Sequence, residues 1–204
     1  MTAKGIYLIA SVVGKPGKKG GNTTYVRFAA DIKNYLNQQA DCFVTTMVDY
    51  YGIDSNWPGK SEVRRRKQAG ETMGPEDMAI ALETAMMEML ADSHPELDVT
   101  RRVIPYVSMH EFEALLFSDA QVMSEKLNVE IAAFNAVLRA AAGNPEAIND
   151  SPVTAPSKRL ENMTSDRYRK VLHGNMISEA IGIAVIREKC RHFDAWLTRI
   201  EGTL

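Results

Sequence analysis

The run Arg102-Val-Ile-Pro-Tyr-Val-Ser-Met-His110-Glu111-Phe112-Glu113-Ala-Leu-Leu-Phe117 constrains this chain most, because an apolar strand-like stretch passes a histidine and two glutamates straight into the start of a helix. In open α/β sheets, ligands bind outside the carboxyl ends of the strands, where polar side chains meet helix N-termini. A second such junction lies upstream. There Phe43-Val-Thr-Thr-Met-Val48 ends on Asp49, ahead of the polar, turn-rich segment Tyr50 to Pro58. Two strand ends that each present acid predict a metal or catalytic cluster, provided the fold brings them together.

The rest of the chain is read around these junctions. Gly5 to Val13 is short, β-branched and aromatic, and closed by Gly14 and Pro16, which predicts a strand. After the loop Gly14-Lys-Pro-Gly-Lys-Lys-Gly-Gly-Asn22, Tyr25 to Gln38 sets Tyr25, Phe28, Ala29, Ile32, Tyr35 and Leu36 at helical spacing. Cys42 to Val48 is the next strand. Residues 50 to 74 read as an irregular loop carrying the basic insertion Arg64-Arg-Arg-Lys67. Pro75, followed by Glu76 and Asp77, suits the first turn of a helix running to about Ala91. Val103 to Met109 is a third strand, and beyond it the pattern is helical only, over 110–117, 119–127, 129–142, 156–163, 166–172, 175–189 and 191–200. Strands separated by helices favour parallel pairing through crossovers. The expectation is a single domain over 1–204, with an α/β part in 1–118, built on a mostly parallel sheet, and a C-terminal α-helical half in 119–204.

With 204 residues, 45% of them hydrophobic, the chain has material for one sizeable core. A formal net charge of −2 gives no long-range attraction to nucleic acid or anionic lipid, so any such binding must come from local patches. Cys42 and Cys190 form no CxxC pair or metal-ligand spacing, which predicts buried thiols in a reducing compartment. No apolar run reaches membrane-spanning length and no secretory signal pattern is present, so a soluble, cytoplasmic protein is expected.

At the first turn of the 110–117 helix, His110 and Glu113 stand three residues apart and share a face, which suits a divalent cation. The arrangement is not the zinc-protease pattern, which needs two histidines four apart. The plainer alternative is that Glu111 and Glu113 favour the helix N-terminus electrostatically while His110 caps it. Asp49 offers hard oxygen donors suited to Mg²⁺ or Mn²⁺, with Asp54 five positions on; its plainer alternative is to satisfy backbone donors in a turn. The glycine spacing of Gly14 to Gly21 fits no phosphate-loop motif. Lys15, Lys18 and Lys19, Arg64 to Lys67, and Arg101-Arg102 need only charge and reach to touch a phosphate backbone, although such runs are usually solvated faces. In Asn149-Asp-Ser-Pro-Val-Thr-Ala-Pro156-Ser-Lys158-Arg159, Pro156 starts a helix that carries two cations. Phe193, Trp196 and Leu197 form a C-terminal apolar stripe, and His192 with Asp194 is a polar pair of low catalytic promise.

The segments Thr45-Thr-Met-Val-Asp49-Tyr-Tyr-Gly52, Trp57-Pro-Gly59, Ile104-Pro-Tyr-Val107, His110-Glu-Phe-Glu-Ala-Leu-Leu-Phe117, Pro145-Glu-Ala-Ile-Asn149-Asp150, Ala155-Pro-Ser-Lys-Arg-Leu160 and His192-Phe-Asp-Ala-Trp196 together resemble the bacterial domain-of-unknown-function 4276 family over nearly the whole chain. That resemblance implies a Rossmann-like, Toprim-type (topoisomerase–primase) fold, akin to the nuclease half of overcoming-lysogenization-defect proteins. It also implies a partner ATPase of ABC or AAA type and a role in defence against phage or plasmids. Carried over by position, it makes Asp49 the strand-end acid and Glu113 a second ligand of Mg²⁺ or Mn²⁺, with Glu111 and His110 as further catalytic candidates. Lys158 or Arg159 would then stand near substrate phosphate, and two metals would stabilise attacking and leaving oxygens.

The match departs from the family at two points. Family members carry an additional strand ending in glycine-glutamate, and a helix, before the segment that corresponds to Ala3-Lys-Gly-Ile-Tyr7; the sequence in hand starts at that segment. Asp49 is also followed by Tyr50-Tyr51, with no second acid at i+2. Both departures favour the alternative of a non-catalytic module that docks on an ATPase. A sheet edge left without its neighbour would further favour self-association. A nucleic-acid binder using the basic loops is the third expectation.

Overall fold

The computed structural model describes residues 6–11, 23–148 and 155–203. The chain divides into two compact units, Met1–Ser108 with Trp196–Leu204, and Met109–Ala195. The division falls one residue before the end of the third predicted strand, ahead of the 118/119 change in pattern, and the C-terminal stretch groups with the strands.

In the first unit, helix α1 (Tyr25–Gln38) has the span its periodicity predicts and buries Phe28, Ile32 and Leu36 on one stripe. The second and third predicted strands are each interrupted, giving β1 (Val44–Thr45) and β2 (Val48–Asp49), then β3 (Val103–Ile104) and β4 (Val107–Ser108). β1 pairs with β3 and β2 with β4, both parallel. Pro105 supplies the reason for the gap, since it has no N–H for the ladder. Hydrogen bonds nonetheless cross it. Thr46 N–H donates to the Ile104 carbonyl at 3.3 Å, Tyr106 N–H to Thr46 Oγ1 at 3.1 Å, and Val48 N–H to the Tyr106 carbonyl at 3.3 Å. The crossover between the paired strands contains α2 (Lys60–Gln68), α3 (Pro75–Ser93) and the short α4 (Val99–Arg102). α3 buries Ala79, Leu82, Met86 and Leu90, and its buried Glu83 accepts the Val107 N–H at 2.8 Å. Trp196 stacks on Tyr106 at 4.8 Å and donates to Thr45 Oγ1 at 2.7 Å, so the predicted C-terminal stripe does serve as packing.

The chain is therefore mixed α/β with parallel strand pairs, but three sequence expectations for this unit require correction. Ile6 to Ser11 form no strand among the described residues, with Tyr7 84% and Ile9 92% exposed. Strand propensity is expressed only against a neighbouring strand, and among the described residues none pairs with this segment. The remainder of that predicted strand and the loop with Lys15, Lys18 and Lys19 lie outside the described residues. Within 50–74, α2 replaces the expected irregular loop. Its sequence, Lys-Ser-Glu-Val-Arg-Arg-Arg-Lys-Gln, buries only Val63 and offers no apolar stripe to read. Gly59 starts it at φ +83, where an added Cβ would lie 3.0 Å from the Ala81 carbonyl oxygen. Third, Arg102 is not a surface cation. It is buried and donates to the Leu36 carbonyl at 3.0 Å, the Gln39 carbonyl at 2.5 Å and the Cys42 carbonyl at 3.2 Å, closing the C-terminal end of α1.

The second unit is all helix among its described residues. The predicted 110–117 helix contracts to α5 (Glu113–Leu116). α6 (Ala120–Leu127) is capped by Asp119, whose Oδ1 accepts the Gln121 and Val122 N–H groups at 2.9 and 3.0 Å. α7 (Ile131–Ala140) follows, and α8 (Pro156–Met163) begins on its proline as predicted. The expected 166–172 helix forms only over its last three residues, 170–172. Ser165 and Asp166 take positive φ, and the helix α9 (Lys170–Ile181) starts after them. Gly182, at φ +79, then splits the predicted 175–189 helix and opens α10 (Ile183–Lys189), before α11 (Arg191–Glu201). Leu116, Phe117, Met123, Phe134, Leu160 and Ile177 form the core of this unit. Cys190 is buried beside Ser118, and burial pushes its thiol up to about 12, whereas Cys42 is only half-buried, short of the expectation. Asp194 pairs with Arg187 at 2.5 Å.

Candidate functional site

The segment after β4 decides where the predicted acids go. Helix α5 starts only at Glu113, with Phe112 at its N-cap position, so His110 and Glu111 precede the helix. The expected shared helical face of His110 and Glu113 is therefore absent, and His110, itself buried, does not cap α5.

Glu111 instead caps a different helix. Its Oε2 accepts the Ser157 N–H at 2.8 Å in the first turn of α8, where unpaired backbone donors and the helix dipole favour a carboxylate. Its Oε1 accepts from Lys170 Nζ at 2.9 Å. Burial works to raise the Glu111 carboxyl, but the bonds from Ser157 and Lys170 prevail and hold it below its ordinary range.

Glu113 has the opposite balance. It is 4% exposed, its Oε1 lies 3.7 Å from the same Lys170 Nζ, and burial raises its carboxyl against the opposing charge of Lys170. One ammonium thus stands between two carboxylate oxygens. Tyr168, 3% exposed, completes the group: burial and the neighbouring charges of Glu113 and Glu111 raise its hydroxyl, and that hydroxyl has no hydrogen-bond partner among the described residues. Gly174 of α9 lies against the same group: a Cβ there would make ordinary contact with Phe112 Cε1 at 3.4 Å and Tyr168 Oη at 3.7 Å.

In the first unit, Asp49 ends β2 on the surface, with its Cα in register with Ser108. The ladder closes there, where Tyr50 N–H donates to the Ser108 carbonyl at 2.8 Å and Gly52 N–H turns back on the Asp49 carbonyl at 2.8 Å. Lys60 fastens the turn by donating to the Tyr50 and Ile53 carbonyls at 3.1 and 2.8 Å, while burial lowers its own ammonium. Asp54 accepts the Asn56 N–H at 3.1 Å.

Of the predicted site residues, Glu111 and Glu113 come together about one cation; Asp49 belongs to the other compact unit. Lys158 lies on the surface in an ion pair with Glu161 at 2.5 Å, and Arg159 follows it on α8. Two cations of the basic insertion, and Arg101 outside it, stand in ion pairs. Arg65 meets Glu62 at 2.7 Å, Arg66 meets Glu71, and Arg101 meets Asp98 at 2.6 Å. Among the described residues no group of three His, Cys, Asp or Glu side chains is arranged to hold a metal ion. The donor chemistry of Glu111 and Glu113 nonetheless fits a hard cation, because an ammonium already sits where their oxygens converge. Lys170, Ser157 and Tyr168 are the residues that sequence reading missed. Lys170 is separated from Glu111 by 59 positions, and nothing local marks the pairing.

The family model described as Domain of unknown function (DUF4276) matches residues 1–201. No curated protein and no solved structure matches the chain. No helix among the described residues is long and apolar enough to cross a membrane.

Proposed function

Given that the chain belongs to the family of domains of unknown function DUF4276, we propose that it is a Toprim-like, Mg²⁺- or Mn²⁺-dependent nuclease subunit that works with a partner ATPase in defence against phage or plasmids. The observation that carries this reading is the convergence of Glu111 and Glu113 oxygens on one cationic centre, immediately downstream of a parallel strand. Asp49 adds support, because it ends the adjacent strand of that parallel pair, the edge at which open α/β sheets bind ligands.

In this reading Glu111 and Glu113 hold the cation in the second unit, and Asp49 is the candidate acid of the first. When bound, the metal would supply charge neutralisation at a phosphodiester. Glu111 is kept in orientation and in its charged form by Ser157 and Lys170. Burial keeps water from Glu113. Lys158 and Arg159 offer positive charge to a phosphate backbone from α8, which Glu111 fixes through its first turn.

The test is Mn²⁺- or Mg²⁺-dependent cleavage of plasmid DNA and of RNA, with and without the partner ATPase, by wild type, Asp49→Ala and Glu113→Ala. A loss of about a hundredfold or more in either variant is expected for a metal ligand. Equal cleavage by all three proteins would sink the assignment.

A non-catalytic docking module is the second reading, favoured by the exposed apolar side chains Val171 and Leu172, which immediately follow Lys170 on α9. It predicts stable co-purification with the ATPase that Val171→Asp abolishes, and no cleavage by the complex.

A further inference from the structure

In the cation-dependent reading above, the ammonium of Lys170 stands where the metal ion would be held, so the two would have to exchange. Three features of the cluster bear on it. Glu111 cannot follow Lys170 outward, because its other oxygen is held by the Ser157 N–H. Glu113 is buried, and without a cation its charge faces the like charge of Glu111 across a poorly hydrated gap. Lys170, in contrast, is 52% exposed at its side chain and is the first residue of α9, so its long flexible stem can carry the ammonium into water. The carboxylates are the fixed part of the site and the lysine is the movable part.

The Tyr168 hydroxyl is the independent sign that this arrangement is not the only one the cluster adopts. A buried hydroxyl left without a partner is costly, and native structures seldom retain one without a use. It stands near both carboxylates, and Lys170 provides it with no bond. A divalent cation that keeps part of its water shell would bring metal-bound water there, whose O–H donates to the Tyr168 oxygen.

We propose that Lys170 is an intramolecular counter-ion that competes with a hydrated divalent cation for the Glu111–Glu113 pair, so that the site loads only when the Lys170 ammonium swings out. This inference rests on the cation-dependent reading above. It adds that the empty site is closed by a residue of the chain itself, and that apparent metal affinity is set by how readily Lys170 leaves.

The experiment is calorimetric titration of the full chain with Mn²⁺ alone, comparing wild type with Lys170→Met, Lys170→Arg, and Lys170→Met combined with Glu113→Gln. Removing the internal cation should tighten Mn²⁺ binding by about tenfold or more. Lys170→Arg, which keeps the charge, should bind as wild type does, and the double variant should lose the gain. Equal or weaker binding by Lys170→Met, or a gain that survives Glu113→Gln, would overturn the proposal. Should Lys170→Met fail to fold, Lys170→Gln, neutral but still able to donate to Glu111, is read on the same scale. The outcome is separable from the nuclease assignment. A Mn²⁺ gain with no cleavage by wild type and partner refutes the nuclease and leaves the counter-ion in place, whereas cleavage without that gain does the reverse.

Discussion

Glu111 and Glu113 share a lysine yet respond to pH in opposite senses, because one is bonded to fixed donors and the other is mainly buried. A carboxyl held below its unfolded value contributes stability that is present above the ordinary carboxylate range and lost as pH falls through its folded pKa. Glu111 is of that kind. Glu113 is the reverse: its folded pKa lies above the unfolded value, so its ionised form costs stability at neutral pH, and the cost is relieved as pH falls through the folded pKa. Thermal unfolding across the pH range from 4 to 8 should separate the two. Glu113→Gln is expected to be more stable than wild type at neutral pH, with the advantage fading toward the ordinary carboxylate range. Glu111→Gln is expected to be less stable at neutral pH by about 1–2 kcal/mol, the scale of a charge-assisted bond lost from a partly exposed site. A Glu113→Gln variant that lost stability at neutral pH would mean that attraction to Lys170 outweighs burial. The residue types at these positions were visible in the sequence; their opposite environments were not, because Ser157 and Lys170 reach them from distant segments.

At the scale of elements, helices with an apolar stripe were legible and those without one were not. The span of α1 follows from Phe28, Ile32 and Leu36, and the start of α8 from Pro156, whereas α2, with a single buried residue, gave no periodic signal. The strands were located by their β-branched runs, but their length was not, since each ladder extends only as far as its partner and Pro105 divides the pair. Arg102 marks the same limit. In sequence it is half of a basic dipeptide; in the fold it carries the last carbonyls of α1. Lys would not reproduce that planar set of donors. Arg102→Met is therefore expected to destabilise the protein by about 2 kcal/mol or more in chemical denaturation, because the carbonyls it serves are left unpaired near the core. A change under about 0.5 kcal/mol, typical of a surface substitution, would show that water replaces it.

For the whole molecule, the two tryptophans provide a natural probe. Trp57 and Trp196 both belong to the Met1–Ser108 and Trp196–Leu204 unit, whereas the Met109–Ala195 unit has none and its elements among the described residues are all helices. Phe134→Ala removes a fully buried ring that meets Phe117 edge-on at 6.1 Å, a change worth about 3–5 kcal/mol in a packed core. If each unit unfolds about its own core, this variant lowers the midpoint followed by helical circular dichroism more than the midpoint followed by tryptophan fluorescence. Coincident midpoints would mean that the units unfold as one. The sequence by itself determined the family, the alternation of strands and helices in the first half, the helical second half, and the two acid-bearing strand ends. These are properties of local pattern, in which propensity, spacing and turn chemistry act over a few residues. Only the tertiary structure decided that Glu111 caps a helix 46 positions away, that Lys170 stands between Glu111 and Glu113, and that Arg102 points inward. Those outcomes depend on which donors packing brings within about 3 Å of an oxygen, a distance on which no local sequence signal bears.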